Sequence, residues 1–182
     1  MEKLRQWFHI GIGIMLLLLV WLAEREYVVL TVLCGFLCGI TVLNLKLAGL
    51  RVPVIDELLS VFERPNTPPG YGAFWYAFGV LVIISFIQNA DYVMAAILVL
   101  GISDGVSTIV GLGSSRRLPY NKNKTVGGSL GFAIVSLLSF VWIGALAIPF
   151  SIIGAFLEGV DLRFDDNLVI SLFSVAFFLL VG

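Results

Sequence analysis

One stretch of the chain, from Gly101 to Gly131, carries residue types that together can hold a metal-bound polyphosphate. It begins in an apolar segment whose single charge is Asp104, and carboxylates are ligands that Mg²⁺ takes from proteins. The densest basic patch of the chain follows, at Arg116, Arg117, Lys122 and Lys124. Glycines come directly after it, and they allow a phosphate to approach backbone N–H groups at the start of a helix. The stretch therefore predicts a phosphate site at the edge of a membrane.

Both halves of this stretch also have a structural interpretation. A carboxylate inside an apolar span is costly and by default marks a functional site, but Asp104 can also be hydrogen-bonded to a serine or threonine of a neighbouring helix. The basic patch alone is equally typical of a positive-inside signal that binds anionic headgroups. Soluble phosphate-loop patterns do not decide between them, because the run at Gly111 lacks the third glycine of GxGxxG and no GxxxxGK[ST] occurs.

The N-terminus offers a second polar face. Glu2, Arg5 and His9 follow one another at spacings of three and four residues, which places them on one side of a helix. His9 is the one histidine of the chain. It fits either a hydrogen-bonded anchor at the membrane interface or, together with Arg5, a residue that faces a nucleotide or an acceptor hydroxyl.

An acidic group stands before the last apolar segment, at Glu158, Asp165, Asp166 and Asn167. Its oxygens are of the kind that Mg²⁺ prefers. A solvated turn with a helix cap at Asp166 or Asn167 is the alternative. The metal interpretation requires the chain to bring this group back beside the basic patch.

Composition indicates a membrane protein. Of the 182 residues 59% are hydrophobic and 13% are charged, whereas soluble domains carry roughly 25% charged residues. Since a span takes roughly 20 apolar residues, we predict an all-α polytopic bundle of about six to seven transmembrane helices in a single integral membrane domain, residues 1–182. The clustered cations do not indicate nucleic acid binding. The predicted spans are Trp7–Ala23, Tyr27–Leu45, Gly72–Gln88, Tyr92–Gly113, Gly127–Trp142 and Asn167–Gly182.

The uncharged run from Val126 to Leu157 is too long for one span. At 1.5 Å per residue it would extend about 48 Å, against a hydrocarbon core of about 30 Å. We therefore predict that it breaks, with Pro149, Gly144 and Gly154 as candidate positions, and that a short or re-entrant helix near Pro149 returns to end at Glu158.

Lysine and arginine set the expected orientation. The cations of the N-terminus, of the connection around Arg64 and of the basic loop 114–125 fall on one side under the predicted spans, and they make up most of the 11. We expect all three regions to be cytoplasmic.

Three glycine pairs at four-residue spacing are interpreted differently, as surfaces where helices pack closely. They are Gly35 with Gly39, Gly101 with Gly105, and Gly127 with Gly131.

In their order and spacing these motifs resemble the dolichol kinase and phytol kinase group of CTP-dependent lipid kinases, and the resemblance covers most of the chain. Ser103 stands where that family usually has glycine, and Gly127 stands where it frequently has glutamate, so one possible metal or base ligand is missing. The segments that carry the resemblance are Glu2 to His9 (E-x-x-R-x-x-x-H), Glu63-Arg64-Pro65 with Gly70 and Gly72, Asp104-Gly105 (DG-x-x-x-x-x-G), Lys124 to Ser129 (K-T-x-x-G-S), and Glu158 with Asp166-Asn167.

The resemblance implies transfer of the γ-phosphoryl group of CTP to the hydroxyl of a dolichol-like or polyprenol-like membrane alcohol, with Mg²⁺. Such a reaction needs positioning and cancellation of phosphate charge. Asp104 and His9 would then be catalytic, and Arg5 and Arg64 would orient the alcohol or CTP. The implied metal ligands are Asp104, Glu158, Asp166 and Asn167. The implied nucleotide contacts are Gly105, Ser107, Gly111, Gly113, Arg117, Lys122, Lys124, Thr125, Gly128 and Ser129.

Two other functions fit the same residues. A CTP-dependent cytidylyltransferase acting on a lipid phosphate has a similar D…G…K-T…G pattern, but attack falls on the α-phosphate. A small membrane transporter or scaffold would instead use Asp104 as an ion or packing site.

Overall fold

A computed structural model describes residues 2–50, 53, 55–57, 67–160, 162 and 164–182. This part of the chain is all-helical, as predicted, with one isolated β-bridge between Arg117 and Thr125 and no strand. Arg64, its neighbouring motif residues and most of the connection 52–62 lie outside the described residues. The helices are α1 (Glu2–Leu22), α2 (Arg25–Leu47), α3 (Tyr71–Phe86), α4 (Ala90–Ile97), α5 (Asp104–Leu112), α6 (Val126–Ser136), α7 (Phe140–Ile143), α8 (Ala147–Gly159) and α9 (Asp166–Val181).

Four helical runs of the described chain are long and apolar enough to cross a membrane. They are Glu2–Leu22, Arg25–Leu47, Ala90–Leu112 and Val126–Gly159, and α3 and α9 are two shorter apolar helices. Every predicted span falls on one of these elements. The third run joins α4 to α5 through a π-helical segment, Leu98–Ser103.

The long uncharged run turns back at Gly144, not near Pro149. Gly144 has a φ of +54°, a conformation that glycine adopts without the steric cost of a side chain. α8 then returns alongside α6, so that a β-carbon added at Gly154 would lie 3.2 Å from the ring of Phe132. Pro149 falls in the first turn of α8, where its missing N–H has no intrahelical partner to lose. The predicted return is therefore present, and of the three candidate break positions it occurs at Gly144 rather than at Pro149 or Gly154.

The central run, α4 with the π-helical segment, forms the middle of the core. Ala95, Val99 and Leu100 have no exposed surface. α1 crosses this run closely, because a β-carbon added at Gly101 would lie 2.8 Å from the Cα of Gly13. Here the prediction of a packing surface at a glycine pair is confirmed.

α2 stands at the edge of the bundle. Val28 is the one buried residue among those described in this helix, and α2 packs mainly against α3. Arg25 fastens its start by donating from Nη1 to the carbonyl oxygen of Ile87 at 2.8 Å and from Nη2 to that of Ile84. These carbonyls at the end of α3 have no helical partner of their own, so the guanidinium also caps α3.

Candidate functional site

Lys124 is the centre of a charged group that three parts of the chain contribute. Its Nζ donates to Oε1 of Glu158 at 2.6 Å and to Oδ2 of Asp166 at 2.8 Å. Glu158 lies in the last turn of α8, and Asp166 lies in the first turn of α9. The return of the chain at Gly144 is what brings both acids to the basic loop.

The side chain of Glu158 is almost completely shielded from solvent. The residue is buried, and Oγ of Ser107 on α5 also donates to its Oε1, at 2.9 Å. Burial by itself lowers the pKa of the Lys124 ammonium, but the carboxylates of Glu158, Asp166 and Asp104 outweigh that effect and hold the pKa above its ordinary value. Lys124 is therefore a fixed positive charge.

The basic loop is a hairpin that places Lys124. Backbone N–H of Leu118 donates to the carbonyl of Lys124 at 3.0 Å, which pairs the two sides of the loop. The tip is anchored by Asn121, whose Nδ2 donates to the carbonyl of Gly159 at 3.0 Å. Oγ1 of Thr125 accepts from the N–H of Gly128 at 3.1 Å and caps the start of α6.

Asn121 is a residue that the sequence analysis missed. It is buried, and its Oδ1 accepts from the N–H of Asn123 at 2.9 Å. No charge or motif marks it as a site residue. Its one signal is the Asn-Lys-Asn spacing, since asparagines often bond the backbone two residues on in a turn.

Asp104 and His9 form a second polar pair. His9 Nε2 lies 3.8 Å from Asp104 Oδ2 and 3.2 Å from the carbonyl oxygen of Leu100, and its ring centroid lies 4.3 Å from that of Tyr76. Asp104 begins α5 directly after the π-helical segment, and π turns often occur at functional sites. Arg5, one turn before His9, pairs with Glu2.

Both polar groups line one cavity of about 1000 Å³. Its polar end carries Asp104, Ser107, Lys124, Glu158 and Asp166. Its apolar part lies between α1, α2 and α3, with Leu16, Phe36 and Val80 among its walls. The predicted site residues that line it are Arg5, His9, Asp104, Ser107, Gly111, Arg117, Lys124, Thr125, Gly128, Glu158, Asp166 and Asn167.

Four predicted nucleotide contacts are not among the described residues that line the cavity. They are Gly105, Gly113, Lys122 and Ser129. Lys122 is exposed on the loop, and Gly105 packs on α1, where an added β-carbon would lie 2.6 Å from Cγ1 of Ile10.

Gly111 and Gly128 lie where α5 meets α6. An added β-carbon would lie 3.0 Å from the carbonyl oxygen of Ser107 at Gly128, and 3.1 Å from Oγ1 of Thr125 at Gly111. In this structure these glycines let the two helices approach each other. Their contact with a nucleotide stays a prediction.

The acidic residues supply part of the ligand set of a magnesium ion. The described residues contain no group of three or more His, Cys, Asp and Glu arranged to hold a metal. Mg²⁺, however, commonly takes only one or two carboxylates from the protein and the remainder of its ligands from phosphates and water. Oε2 of Glu158 and Oδ1 of Asn167 are buried oxygens without a hydrogen-bond partner among the described residues, and both residues line the cavity.

The start of α9 differs from its predicted form. The cap is Asp165, whose Oδ1 accepts from the N–H of Asn167 at 3.0 Å, whereas the alternative interpretation of the sequence put the cap at Asp166 or Asn167. Because Asp165 caps the helix, Asp166 can pair with Lys124.

Comparison with known proteins gives relatives along nearly the whole chain. No protein-family model matches it, and no solved structure matches it. An uncharacterized protein of Methanocaldococcus jannaschii is 30% identical over 179 residues, which cover 97% of this chain and 91% of that protein. The chloroplastic farnesol kinase of Arabidopsis thaliana is 28% identical over 95% of this chain, and a probable phytol kinase of Oryza sativa subsp. japonica is 30% identical over 75% of it. The chain spans 63% and 46% of the lengths of these two plant kinases.

Proposed function

We propose that this chain, which belongs to the same family as the Methanocaldococcus jannaschii protein, is a membrane lipid kinase. The reaction is transfer of the γ-phosphoryl group of CTP to the hydroxyl of an isoprenoid alcohol in the bilayer. The similarity to plant enzymes named farnesol kinase and phytol kinase supports this class of acceptor.

The observation that carries the proposal is a single cavity that has both a charged end and an apolar part. Its polar end holds a fixed cation among carboxylates, and its apolar part runs between α1, α2 and α3. An isoprenoid alcohol needs both, because its hydroxyl must meet a phosphate while its chain stays out of water.

Lys124 would bind the nucleotide phosphates. It shares its ammonium between a buried carboxylate and that of Asp166, whose side chain is 41% exposed. The exposed partner is the easier one for a phosphate oxygen to replace, since its charge can return to water. Arg117, at the same cavity, adds a second cation.

Asp104 would accept the proton of the acceptor hydroxyl, with His9 beside it. The alcohol oxygen forms a bond to the γ-phosphorus, the bond from that phosphorus to the β–γ bridging oxygen breaks, and CDP leaves with the electron pair. Catalysis of this kind rests on positioning and on charge neutralisation.

Glu158, Asp166 and Asn167 would hold Mg²⁺, with Asp104 a further oxygen ligand at the same cavity. When bound there, the ion would supply positive charge that offsets the negative charge of the nucleotide phosphates. The orientation that serves this reaction has the N-terminus and loop 114–125 on the cytoplasmic side, where the positive-inside rule puts their cations.

The test is phosphoryl transfer with purified protein in lipid nanodiscs. Farnesol, phytol, a polyprenol and a phosphatidic acid are each incubated with Mg²⁺ and with CTP labelled at either the γ- or the α-phosphate. The kinase predicts γ-label in the lipid from the alcohols and no α-label. A cytidylyltransferase predicts α-label in the phosphatidic acid product, and that result would overturn the proposal, as would absence of label from every alcohol.

A further inference from the structure

One wall of the apolar part of the cavity contains two glycines without neighbours. Gly35 and Gly39 lie one turn apart on α2, and both line the cavity. Apart from the adjoining residues and the backbone of α2 itself, no heavy atom of the described chain lies within 4 Å of a β-carbon added at either position. The predicted packing of another helix on this pair is therefore absent from the described chain, in contrast to Gly101.

Packing does not account for these glycines, and helix stability does not favour them. Glycine weakens a helix relative to alanine, and membrane helices keep small residues mainly where a second helix approaches closely. In front of Gly35 and Gly39 lies the cavity. Aromatic contacts hold the helix by an adjacent residue, since the ring of Phe36 lies 5.7 Å from that of Phe74 and 6.3 Å from that of Phe78.

Unpartnered polar groups in the same cavity point to a ligand. Tyr76 is 6% exposed and lines the cavity, and its hydroxyl has no hydrogen-bond partner among the described residues. Its ring lies beside His9. Glu158, also buried, has an oxygen without a partner in the described chain. A buried polar atom without a partner is costly, so the Tyr76 hydroxyl and Oε2 of Glu158 favour a ligand with a polar end.

The two observations fit one orientation of an amphiphile. Its polar end would lie toward Tyr76, His9 and Asp104, and its chain would lie along α2. α2 stands at the edge of the bundle and contacts α1 little, so the wall that carries the glycines is next to the surrounding lipid.

We propose that Gly35 and Gly39 keep open the passage for the hydrocarbon chain of the acceptor, and that side-chain size at these two positions sets the length of alcohol that the protein accepts. The inference rests on the proposed function, which supplies an isoprenoid alcohol as the occupant. Every added methylene that a pocket must exclude changes selectivity by about tenfold or more.

The experiment compares Gly35→Leu and Gly39→Leu with Gly11→Leu. Gly11 is a matched control, because it lies on α1 with no described heavy atom within 4 Å of an added β-carbon and it is not among the described cavity residues. For each protein in nanodiscs, kcat/KM is measured with geraniol, farnesol and geranylgeraniol, and the Kd of tritiated farnesol and geranylgeraniol is measured without CTP.

We expect Gly39→Leu to lower kcat/KM for geranylgeraniol at least about tenfold relative to geraniol, with an unchanged KM for CTP. Gly11→Leu should retain the wild-type length profile.

A wild-type profile in both α2 variants overturns the inference, and so does wild-type protein that binds neither tritiated alcohol. Wild-type protein that binds the alcohols but phosphorylates none overturns the proposed function instead, and the Kd ratios then decide the role of the glycines. If a leucine variant fails to elute as folded protein, Gly35→Ala and Gly39→Ala replace it. These variants should lower kcat/KM for geranylgeraniol relative to geraniol in the same direction, by a smaller factor.

Discussion

Replacement of Lys124 by methionine tests how the polar end of the cavity is held together. The substitution keeps a long side chain and removes the charge that joins Glu158 to Asp166. Removing one partner of a buried ion pair typically costs about 3–5 kcal/mol, because the other charge stays buried without compensation. The Glu158 side chain is 1% exposed, but that of Lys124 is 25% exposed, so water relieves part of the penalty. We expect a loss of about 2–3 kcal/mol in the free energy of unfolding.

The substitution Glu158→Gln removes the carboxylate charge that Lys124→Met leaves without a partner. Glutamine has nearly the same shape and can still accept from Ser107, which donates to Oε1 in the wild type. The double variant Lys124→Met/Glu158→Gln should therefore be more stable than Lys124→Met alone, with a coupling energy of about 1–2 kcal/mol. Asp166→Asn, at a side chain that is 41% exposed, should cost about 1 kcal/mol or less.

Unfolding by sodium dodecyl sulfate in mixed micelles, followed by far-ultraviolet circular dichroism, gives these free energies. Additive effects of the two substitutions would refute the reasoning, since they would show that Glu158 does not depend on the lysine. Equal stability of Lys124→Met and wild type would refute it as well. On the functional side the same variant should raise the KM for CTP about tenfold, the equivalent of about 1.4 kcal/mol.

Three further outcomes follow from the contacts. Asp104→Asn should lower kcat for Mg²⁺-dependent transfer at least about 100-fold while CTP binding stays within about threefold, and unchanged turnover would remove Asp104 from catalysis. Arg25→Gln should lower the free energy of unfolding by about 1–2 kcal/mol because two terminal carbonyls of α3 lose their donor, with Arg25→Lys intermediate; an unfolding midpoint at the wild-type value would contradict this. Thr125→Ala should lower it by about 1 kcal/mol through the lost cap, whereas Thr125→Ser should match wild type; equal losses in the two variants would rule out the cap as the cause.

Much of the architecture could be predicted because membrane spans are governed by length and polarity. The spans, the return of the chain before Glu158 and the approach of this acid to the basic loop all follow from where charges are permitted. The choice among the three candidate turning points did not follow, because proline is harmless in the first turn of a helix and the positive φ of Gly144 has no signature beyond the glycine itself.

Glycine pairs show where a sequence pattern is insufficient. Gly101 and Gly35 both begin a G-x-x-x-G pattern. The first meets Gly13 of α1 at van der Waals contact, and the second has no described heavy atom within 4 Å of an added β-carbon. What separates them is the neighbouring helix, which the pattern does not contain. Asn121 was missed for a related reason, since its partner Gly159 is remote in the sequence.

The π-helical segment Leu98–Ser103 makes this point of the chain tolerant of a one-residue deletion. A π turn contains one residue more than the α turn that it replaces. Deleting one residue there would convert the π turn into an α turn, so that α4 and α5 both keep their packing register. Asp104 would still begin α5 with its carboxylate toward His9. The same deletion inside α5 would instead rotate the remainder of that helix by about 100°. Among relatives of this chain, a gap of one residue in the π-helical segment is therefore compatible with the site, whereas a gap within α5 is not.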